Sequence, residues 1–357
     1  MDEKELRRAH PDARLVVGSA LATRDARETE LDGWLAPGGT RPVGAGRRAT
    51  PEAADPYRLC FERDVDRIKH SRPFRRLAGK CQVFIAPDDD HLRTRMTHAI
   101  EVAQVAVSIA RTARLCESLT EAIALAHDVG HGPAGHTAED AFSPYLEGGY
   151  DHALWGADVI LAPLNLCAET LDGVRNGPWR RPPAATPEAE VVSWADRIAY
   201  LCHDFDDACR AGLVRPTDLP GSIVGVVGLE QREQVHRFIV AMLETIDRTG
   251  EVAMDAEFGD ALLEFRTWNY EHIYLRPAAR RQRDRAIALL RGLVEYYIDA
   301  PSRLPDVAAG RFEAPVPGSK DAAVLAVIYV GGMTDRFALG QGVELLGWRP
   351  EDLPRGV

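Results

Sequence analysis

The sequence lacks three features that would set it apart from ordinary globular proteins. No run approaches the roughly 18 apolar residues that span a bilayer. The six cysteines include no C-x-x-C pair, so no cysteine-based redox or metal motif is indicated. Positive charge is not in excess either. With 43 Lys and Arg against 54 Asp and Glu, the 357 residues carry a net charge of −11, which argues against a non-specific polyanion binder held by overall charge.

The opening residues, 1–11, also lack the apolar core of a secretory signal, because they are charged throughout. We therefore predict no targeting segment, no membrane partner and a cytoplasmic location. In that compartment, six buried cysteines are expected to stay reduced.

What the sequence does contain is a strong helical period. Hydrophobic residues make up 45% of the chain and charged residues 27%, which is typical of a folded protein with a buried core. Apolar residues recurring every three or four positions predict helices over 64–77, 97–114, 118–126, 137–146, 152–161, 187–210, 229–248, 258–274, 278–297 and 321–339. Strands are nearly absent, apart from one short hairpin expected near 82–85 and an ambiguous segment at 222–227. The prediction is a mostly α fold with at most a short β-hairpin.

The chain divides into three predicted parts. Residues 1–54 are rich in turn formers and arginine without an apolar period, and we expect a surface arm that is partly mobile. Residues 55–215 form the predicted core, and residues 216–357 a C-terminal helical region packed on it. The proline-rich stretches 180–187 and 301–320 are interpreted as connectors within the domain.

Histidine and aspartate are concentrated where predicted helices end or begin. His127 and Asp128 stand at the last turn of an apolar helix, just before a glycine-rich break, and three histidines fall within ten residues there. His98 begins another apolar helix and Asp196 lies within a third. Taken singly, each is more often a satisfied core or surface residue. Because polar groups that face a core need partners, one metal ion shared by all four is the favoured interpretation.

The helix that carries Asp196 has a polar stripe. At about 100° per residue, Asp196, Tyr200, His203 and Asp207 fall within about 60° of one another, and Asp204 is some 80° from Asp196. A solvated face is the simpler reading. Because the opposite side of the helix is apolar and a tyrosine lies in the stripe, we favour a cleft lining.

Basic residues gather before the predicted metal ligands although the chain is acidic overall. They are Arg72, Arg75, Arg76, Lys80, Arg93 and Arg95. Guanidinium groups bind phosphoryl oxygens, so this cluster favours a phosphate ester substrate over a scatter of surface arginines. Arg95 is the strongest candidate because it lies one helical turn from His98.

With these residues in place, the sequence resembles the HD-domain phosphohydrolase superfamily, whose hallmark is H…HD…D. Within it, the chain is most similar to the deoxyguanosine triphosphate triphosphohydrolase family, over about residues 55–348. The motifs that carry the resemblance span 67–77, 80–84, 93–102, 127–139, 164–173, 195–200 and 332–338. The resemblance implies an HD-domain helical bundle over 55–215 with additional C-terminal helices.

The resemblance also implies roles for individual residues. It implies one divalent cation, of Mn, Mg, Fe, Co or Ni, held by His98, His127, Asp128 and Asp196. The implied catalytic residues are His136, Glu139 and His152. The implied substrate contacts are Arg95, Arg197 and Tyr200 for phosphate, and Gln82 and Asp204 for the sugar 3′-hydroxyl. His131 is left open between a loop-buttressing hydrogen bond and an active-site role. Ala134 departs from the family, which usually has an aromatic residue there.

The activity implied by the resemblance is metal-dependent hydrolysis of deoxynucleoside triphosphates to deoxynucleoside and inorganic triphosphate. Two alternatives stay open. One is another HD phosphohydrolase acting on nucleotide monophosphates, cyclic nucleotides or nucleic-acid ends; the other is a non-catalytic nucleotide sensor. The resemblance implies a homo-oligomer, with a hexamer among the forms to test, whereas the net charge does not indicate single-stranded nucleic acid as a regulator.

Overall fold

The structure, a computed structural model, describes residues 7–14, 16–18, 21–87 and 89–356. These residues form sixteen α-helices, and the only β-type pairings among them are isolated bridges. The predicted mostly α fold is confirmed. The helices are α1 (Arg24–Trp34), α2 (Cys60–Lys69), α3 (Arg72–Arg76), α4 (Arg95–Thr112), α5 (Glu117–Ala126), α6 (His136–Phe142), α7 (His152–Trp155), α8 (Ala168–Asn176), α9 (Pro187–Arg210), α10 (Gly221–Val227), α11 (Gln231–Thr249), α12 (Ala256–Asn269), α13 (Pro277–Asp299), α14 (Pro305–Ala308), α15 (Lys320–Gly331) and α16 (Asp335–Leu346). Five-residue π-helical segments, Gly156–Ile160 and Tyr270–Tyr274, extend α7 and α12.

Several helix boundaries follow from capping residues. Helix α9 has the predicted bounds because the Thr186 side chain accepts a hydrogen bond from the Ala189 amide and Pro187 occupies the first turn. Helix α4 begins after Thr94, whose side chain accepts from the Thr97 amide. These caps fix the directions of the two longest helices that reach the candidate site.

Other boundaries differ from the sequence predictions. The helix predicted over 321–339 is two helices, α15 and α16, because the chain breaks at Gly332, where a Cβ atom would come within 2.8 Å of Arg76 Nη1. The segment 64–77 is likewise split between α2 and α3, and the ambiguous segment 222–227 is helical. The hairpin expected near 82–85 does not form; only the bridges Cys81–Thr94 and Ile85–Gly356 occur there.

The predicted arm, residues 1–54, contains a helix and buried contacts in its described part. Arg48 donates from Nη1 to Asp64 Oδ1 at 2.6 Å, and both side chains are buried. Thr40 donates to the buried carboxylate of Glu188. The arm therefore packs on the rest of the chain from α1 onward, whereas residues 1–6, 15, 19 and 20 lie outside the described residues. The division at residue 54 stays a prediction.

Two apolar clusters form the core. The larger one is built by α2, α4, α5, α9, α11 and α12, and the second by α6, α13, α15 and α16. The segment from His127 to Gly135 connects α5 in the first cluster with α6 in the second. The conspicuous His and Asp residues therefore lie where the two clusters meet. In the described part of the chain, no helix is both long and apolar enough for a membrane span.

Candidate metal centre and catalytic cluster

Four side chains predicted to share a metal ion converge where three helices meet. His98 is in the first turn of α4, His127 and Asp128 directly follow α5, and Asp196 lies within α9. Ligand atoms of His98, His127 and Asp128 lie within 4.8 Å of one another. Asp196 Oδ1 is 3.0 Å from His98 Nε2 and 3.6 Å from His127 Nε2. The structure thus brings all four together, and we call them the ligand set.

Hydrogen bonding prepares the imidazole of His127 for a cation. Its Nδ1 donates to the carbonyl oxygen of Ala124 at 2.7 Å, which leaves the lone pair of the neutral ring on Nε2. That Nε2 is buried and has no hydrogen-bond partner among the described residues. Burial lowers the pKa of His127, but the carboxylates of Asp128 and Asp196 raise it, to about 9 in balance. The surroundings therefore favour positive charge at Nε2, and these N and O donors fit a divalent cation.

Cationic neighbours keep the carboxylate of Asp128 ionised. Arg95 donates from Nη1 to Oδ2 at 2.7 Å, and His131 Nε2 lies 3.3 Å from Oδ1. Burial raises the pKa of Asp128, but His127, Arg95 and His131 lower it well below its usual range. Arg95 is itself buried beneath Gly135, where an added Cβ atom would collide with Nη2. In the structure Arg95 supports Asp128, and its phosphate contact stays a prediction.

A second polar group, the histidine–glutamate cluster, consists of His131, His136, Glu139 and His152. Glu139 Oε1 accepts hydrogen bonds from His136 Nδ1 at 3.0 Å and from His152 Nδ1 at 2.6 Å. Burial raises the pKa of Glu139, but these two bonds lower it below its usual range, so the carboxylate stays ionised. One carboxylate oxygen thereby holds the Nδ1 proton on two rings and leaves each Nε2 available.

His131 joins the histidine–glutamate cluster to the ligand set. Its ring stacks on that of His152 with centroids 3.8 Å apart, while its Nε2 faces Asp128. Burial lowers the pKa of His131, and repulsion from Arg95 lowers it further. Burial also lowers the pKa of His152, against the raising effect of Glu139. Both buried rings are therefore neutral near pH 7. His136 differs from them because its side chain is 70% exposed.

The C-terminal region supports both groups through two residues to which the sequence analysis gave no such role. Lys80 Nζ donates to the carbonyl oxygens of His131 and Gly331, and burial together with Arg76 lowers its pKa to about 7. Asp335, at the start of α16, lies in the motif 332–338 that carried the resemblance; motif membership was the available signal for it. Its carboxylate accepts from the backbone amides of Cys81 and Ala134, both at 2.9 Å.

The two residues predicted to recognise the sugar hydroxyl present buried oxygens. Gln82 Oε1 and Asp204 Oδ1 are both buried without a hydrogen-bond partner within the described part of the chain. Tyr274 donates to Asp204 Oδ2 at 2.6 Å. Burial, with help from Asp207 and against Tyr274, raises the pKa of Asp204 to about 8. Tyr274 was missed from sequence; it lies in the π-helical segment of α12, and such segments are frequent at functional sites.

The rest of the α9 stripe is divided between two surroundings. Arg197 follows Asp196 directly, and its guanidinium lies 3.9 Å from the ring centroid of Trp179. Burial raises the pKa of Tyr200, one turn from Asp196, to about 12, so its hydroxyl stays protonated. His203 and Asp207 instead join an ion network around Arg93, which donates to the Asp207 carboxylate and the His203 carbonyl oxygen. Only the first part of the stripe therefore adjoins the ligand set.

Comparisons with known proteins agree with this arrangement. The chain matches the HD domain over residues 95–201 and the phosphohydrolase-associated domain over 252–342. The deoxyguanosinetriphosphate triphosphohydrolase-like protein of Caldanaerobacter subterraneus subsp. tengcongensis is 38% identical, over 82% of this chain and 86% of that protein. Proteins of the same name from Clostridium perfringens and Desulfatibacillum aliphaticivorans are 37% and 36% identical, over 81% and 87% of this chain and 87% and 94% of theirs. A solved structure of a hypothetical protein from Aquifex aeolicus is 17% identical with a TM-score of 0.49, over 81% of this chain and 69% of that one.

Proposed function

The chain belongs to the deoxyguanosinetriphosphate triphosphohydrolase-like family of HD-domain hydrolases, and from that premise we propose that it cleaves deoxynucleoside triphosphates to deoxynucleoside and inorganic triphosphate. The observation that carries the proposal is the 3.3 Å approach of His131 to Asp128, which joins the ligand set to the histidine–glutamate cluster. A phosphoryl group held at the ligand set lies beside imidazoles that can transfer protons.

The ligand set is proposed to hold the divalent cation that an HD domain implies. His98, His127, Asp128 and Asp196 supply two nitrogen and two carboxylate donors, a mixture that Mn, Fe, Co, Ni and Mg accept to differing degrees. When bound, the ion would polarise a phosphoryl oxygen and lower the pKa of a bound water. Arg95 acts through Asp128 by keeping that carboxylate charged and oriented.

Proton transfer is assigned to His136 and His152. Glu139 holds the proton on Nδ1 of each ring, so each neutral ring can accept a proton at Nε2 and each protonated ring can return one. Solvent reaches His136 directly, because most of its side chain is exposed. His152 is buried and fixed by stacking on His131, which suits a group that orients the reaction rather than one that exchanges with bulk water.

The substrate's phosphates and sugar are assigned to opposite sides of the ligand set. Arg197 and Tyr200 extend from α9 beside Asp196 and would contact the phosphates. Gln82 and Asp204 would take the sugar 3′-hydroxyl, because their free buried oxygens need a partner. With its pKa near 8, Asp204 carries a proton at pH 7, so its carboxyl group can both donate to and accept from a hydroxyl.

The proposed reaction breaks one P–O bond. A water oxygen attacks the α-phosphorus, the bond to the nucleoside 5′-oxygen breaks, and that oxygen leaves with a proton as deoxynucleoside. The water's remaining oxygen stays on the released triphosphate. The homo-oligomer implied by the resemblance stays a prediction that light scattering would test.

The experiment is a product analysis. Metal-loaded protein is incubated separately with the four deoxynucleoside triphosphates and the four ribonucleoside triphosphates, and products are separated by ion chromatography. Inorganic triphosphate and free deoxynucleoside are expected as the first products. Orthophosphate or pyrophosphate as first product, or cleavage confined to monophosphates, cyclic nucleotides or nucleic-acid ends, would overturn the proposal. Nucleotide binding without turnover would identify a sensor instead.

A further inference from the structure

The segment between α8 and α9, residues 177–186, looks from its composition like a proline-rich connector, yet it is fixed at both ends. The Gly177 carbonyl oxygen accepts from Ser193 Oγ at 2.6 Å, and the Ala185 amide donates to Asp172 Oδ2 at 2.7 Å. Thr186 then caps α9. We call this segment the Trp-Arg loop, after the residues at its centre, Trp179 and Arg180.

Trp179 stacks on the arginine that follows the metal ligand Asp196. The centroid of its ring lies 3.9 Å from Arg197 Cζ, and Trp194 packs edge-on against it with centroids 5.0 Å apart. A guanidinium stacked on an aromatic face keeps its N–H groups in the plane, directed away from the ring and available to phosphate oxygens. The stack therefore restricts where Arg197 can point.

Arg180, the next residue, reaches the histidine–glutamate cluster. Its Nη2 lies 3.1 Å from Asp151 Oδ2 and 3.5 Å from Glu139 Oε2, the oxygen of Glu139 that His136 and His152 do not use. Asp151 caps the helix that begins with His152, through hydrogen bonds from the amides of Ala153 and Leu154. Arg180 thus links the hub carboxylate to the cap of the helix that carries His152.

Neither contact is suited to stabilising the fold. Arg180 is half exposed, and exposed ion pairs contribute little to the free energy of folding because solvent screens them. Their position beside two predicted functional groups is what distinguishes them from other surface pairs. The Arg283–Asp140 pair makes the contrast clear: Asp140 is the residue after Glu139, the pair is equally exposed, and neither side chain contacts the cluster.

We propose that the Trp-Arg loop is a positioning element of the active site, in which Trp179 orients Arg197 toward the substrate's phosphates and Arg180 orients Glu139 and the helix of His152. This inference rests on the proposed function for the identity of the phosphate ligand. Because the two contacts are made by different residues, the loop's two effects are separable: Trp179 governs phosphate affinity and Arg180 governs turnover.

The test compares metal-loaded variants in both binding and turnover. Calorimetric titration with inorganic triphosphate needs no catalysis. We expect Trp179→Ala to weaken its Kd and raise KM by roughly 10-fold, with kcat within about 2-fold, and Trp179→Phe to recover much of the affinity because a ring face remains. Arg180→Ala should lower kcat by roughly 10-fold with unchanged triphosphate Kd, and Arg180→Lys should recover part of it.

Arg283→Ala is the matched control, expected to match the wild type within about 2-fold and to melt at the same temperature. Equal losses in Arg180→Ala and Arg283→Ala, or an unchanged Kd in Trp179→Ala, would overturn the inference. So would a fall in melting temperature that accounts for the losses, which Arg180→Lys checks at an exposed position where folding is not at stake. If the wild type binds triphosphate but releases none from any nucleotide, the proposed function fails while the affinity test of Trp179 still stands.

Discussion

The ligand set and the histidine–glutamate cluster are in contact, yet they are built from different kinds of structure. The ligand set uses α4 and α9, of 18 and 24 residues, whose other faces are in the larger apolar cluster. The histidine–glutamate cluster uses α6 and α7, of seven and four residues, after a loop in which Ala134 and Gly135 both have positive φ. Long buried helices fix donors before a cation arrives, whereas short helices at the surface leave one imidazole open to water.

The difference predicts that cation binding and turnover can be separated by mutation. A change in the ligand set should remove both, whereas a change in the histidine–glutamate cluster should remove turnover alone. His131 is the contact through which the two could fail to separate, because it touches Asp128 and His152.

The largest effect is expected from Asp128→Ala. Loss of this carboxylate removes a predicted ligand and leaves Arg95 buried without its partner. We expect metal content after loading and dialysis, measured by mass spectrometry, to fall to background, and kcat/KM to fall by ~10³-fold or more. Asp66→Ala, at a half-exposed carboxylate on α2, should retain both. Full metal content in Asp128→Ala would contradict the assigned ligand set.

His136→Ala should lower kcat by roughly 10²- to 10⁴-fold while the metal stays bound, because general acid–base groups contribute about that much. The same mass spectrometry and triphosphate-release assay measure both quantities. His236→Ala, at an exposed histidine of α11, is the control. If His136→Ala lost its metal as well, the two groups would form one unit and the contrast between them would be wrong.

Glu139→Gln should have a smaller effect, lowering kcat by roughly 10- to 100-fold, because the rings remain but lose the carboxylate that orients them. Asp140→Asn changes the neighbouring carboxylate on α6 and should leave kcat within about 2-fold. Equal kcat values in the two variants would show that Glu139 does not act on His136 and His152.

The smallest effect concerns Lys80, which lies under both groups and donates to the loop at His131. Its pKa is lowered to about 7, so between about pH 7 and 10.5 the unfolded chain binds more protons at this residue than the folded chain. Its contribution to stability is therefore present above that window and lost as the pH falls through 7. From pH 6 to pH 10, the melting temperature of the wild type should rise by a few degrees relative to Lys80→Met.

The control for Lys80 is Lys69→Met, at an exposed lysine paired with Glu121. Its melting-temperature difference from the wild type should stay constant over the same pH range. A constant difference in Lys80→Met as well would show that the buried ammonium group does not titrate in this window.

Local signals in the sequence predicted those parts of the fold that depend on local interactions. Helix α9 was predicted with its observed bounds because Thr186 and Pro187 specify its start. Helix α1 was missed because none of its residues is buried, so it has no apolar stripe. The break between α15 and α16 was missed because it depends on Arg76, which lies far away along the chain.

The candidate site shows the same division between local and distant information. The residue types and spacing of the ligand set predicted its convergence, and the relatives confirm the family resemblance from which the roles were taken. Tyr274, Asp335 and the Trp-Arg loop could not be assigned from spacing, because each meets the site through a contact that only the folded chain creates. Their roles in catalysis stay predictions.

Asp335 limits how this protein could be divided into modules. A fragment that stops at residue 215 would keep every predicted ligand and every catalytic histidine, yet the buried amides of Cys81 and Ala134 would lose their shared acceptor. Lys80 would lose one of its two carbonyl acceptors at the same time. The catalytic inventory of the chain is thus contained in its first two thirds, while the correct shape of the loop that carries it is enforced by a carboxylate more than a hundred residues further on.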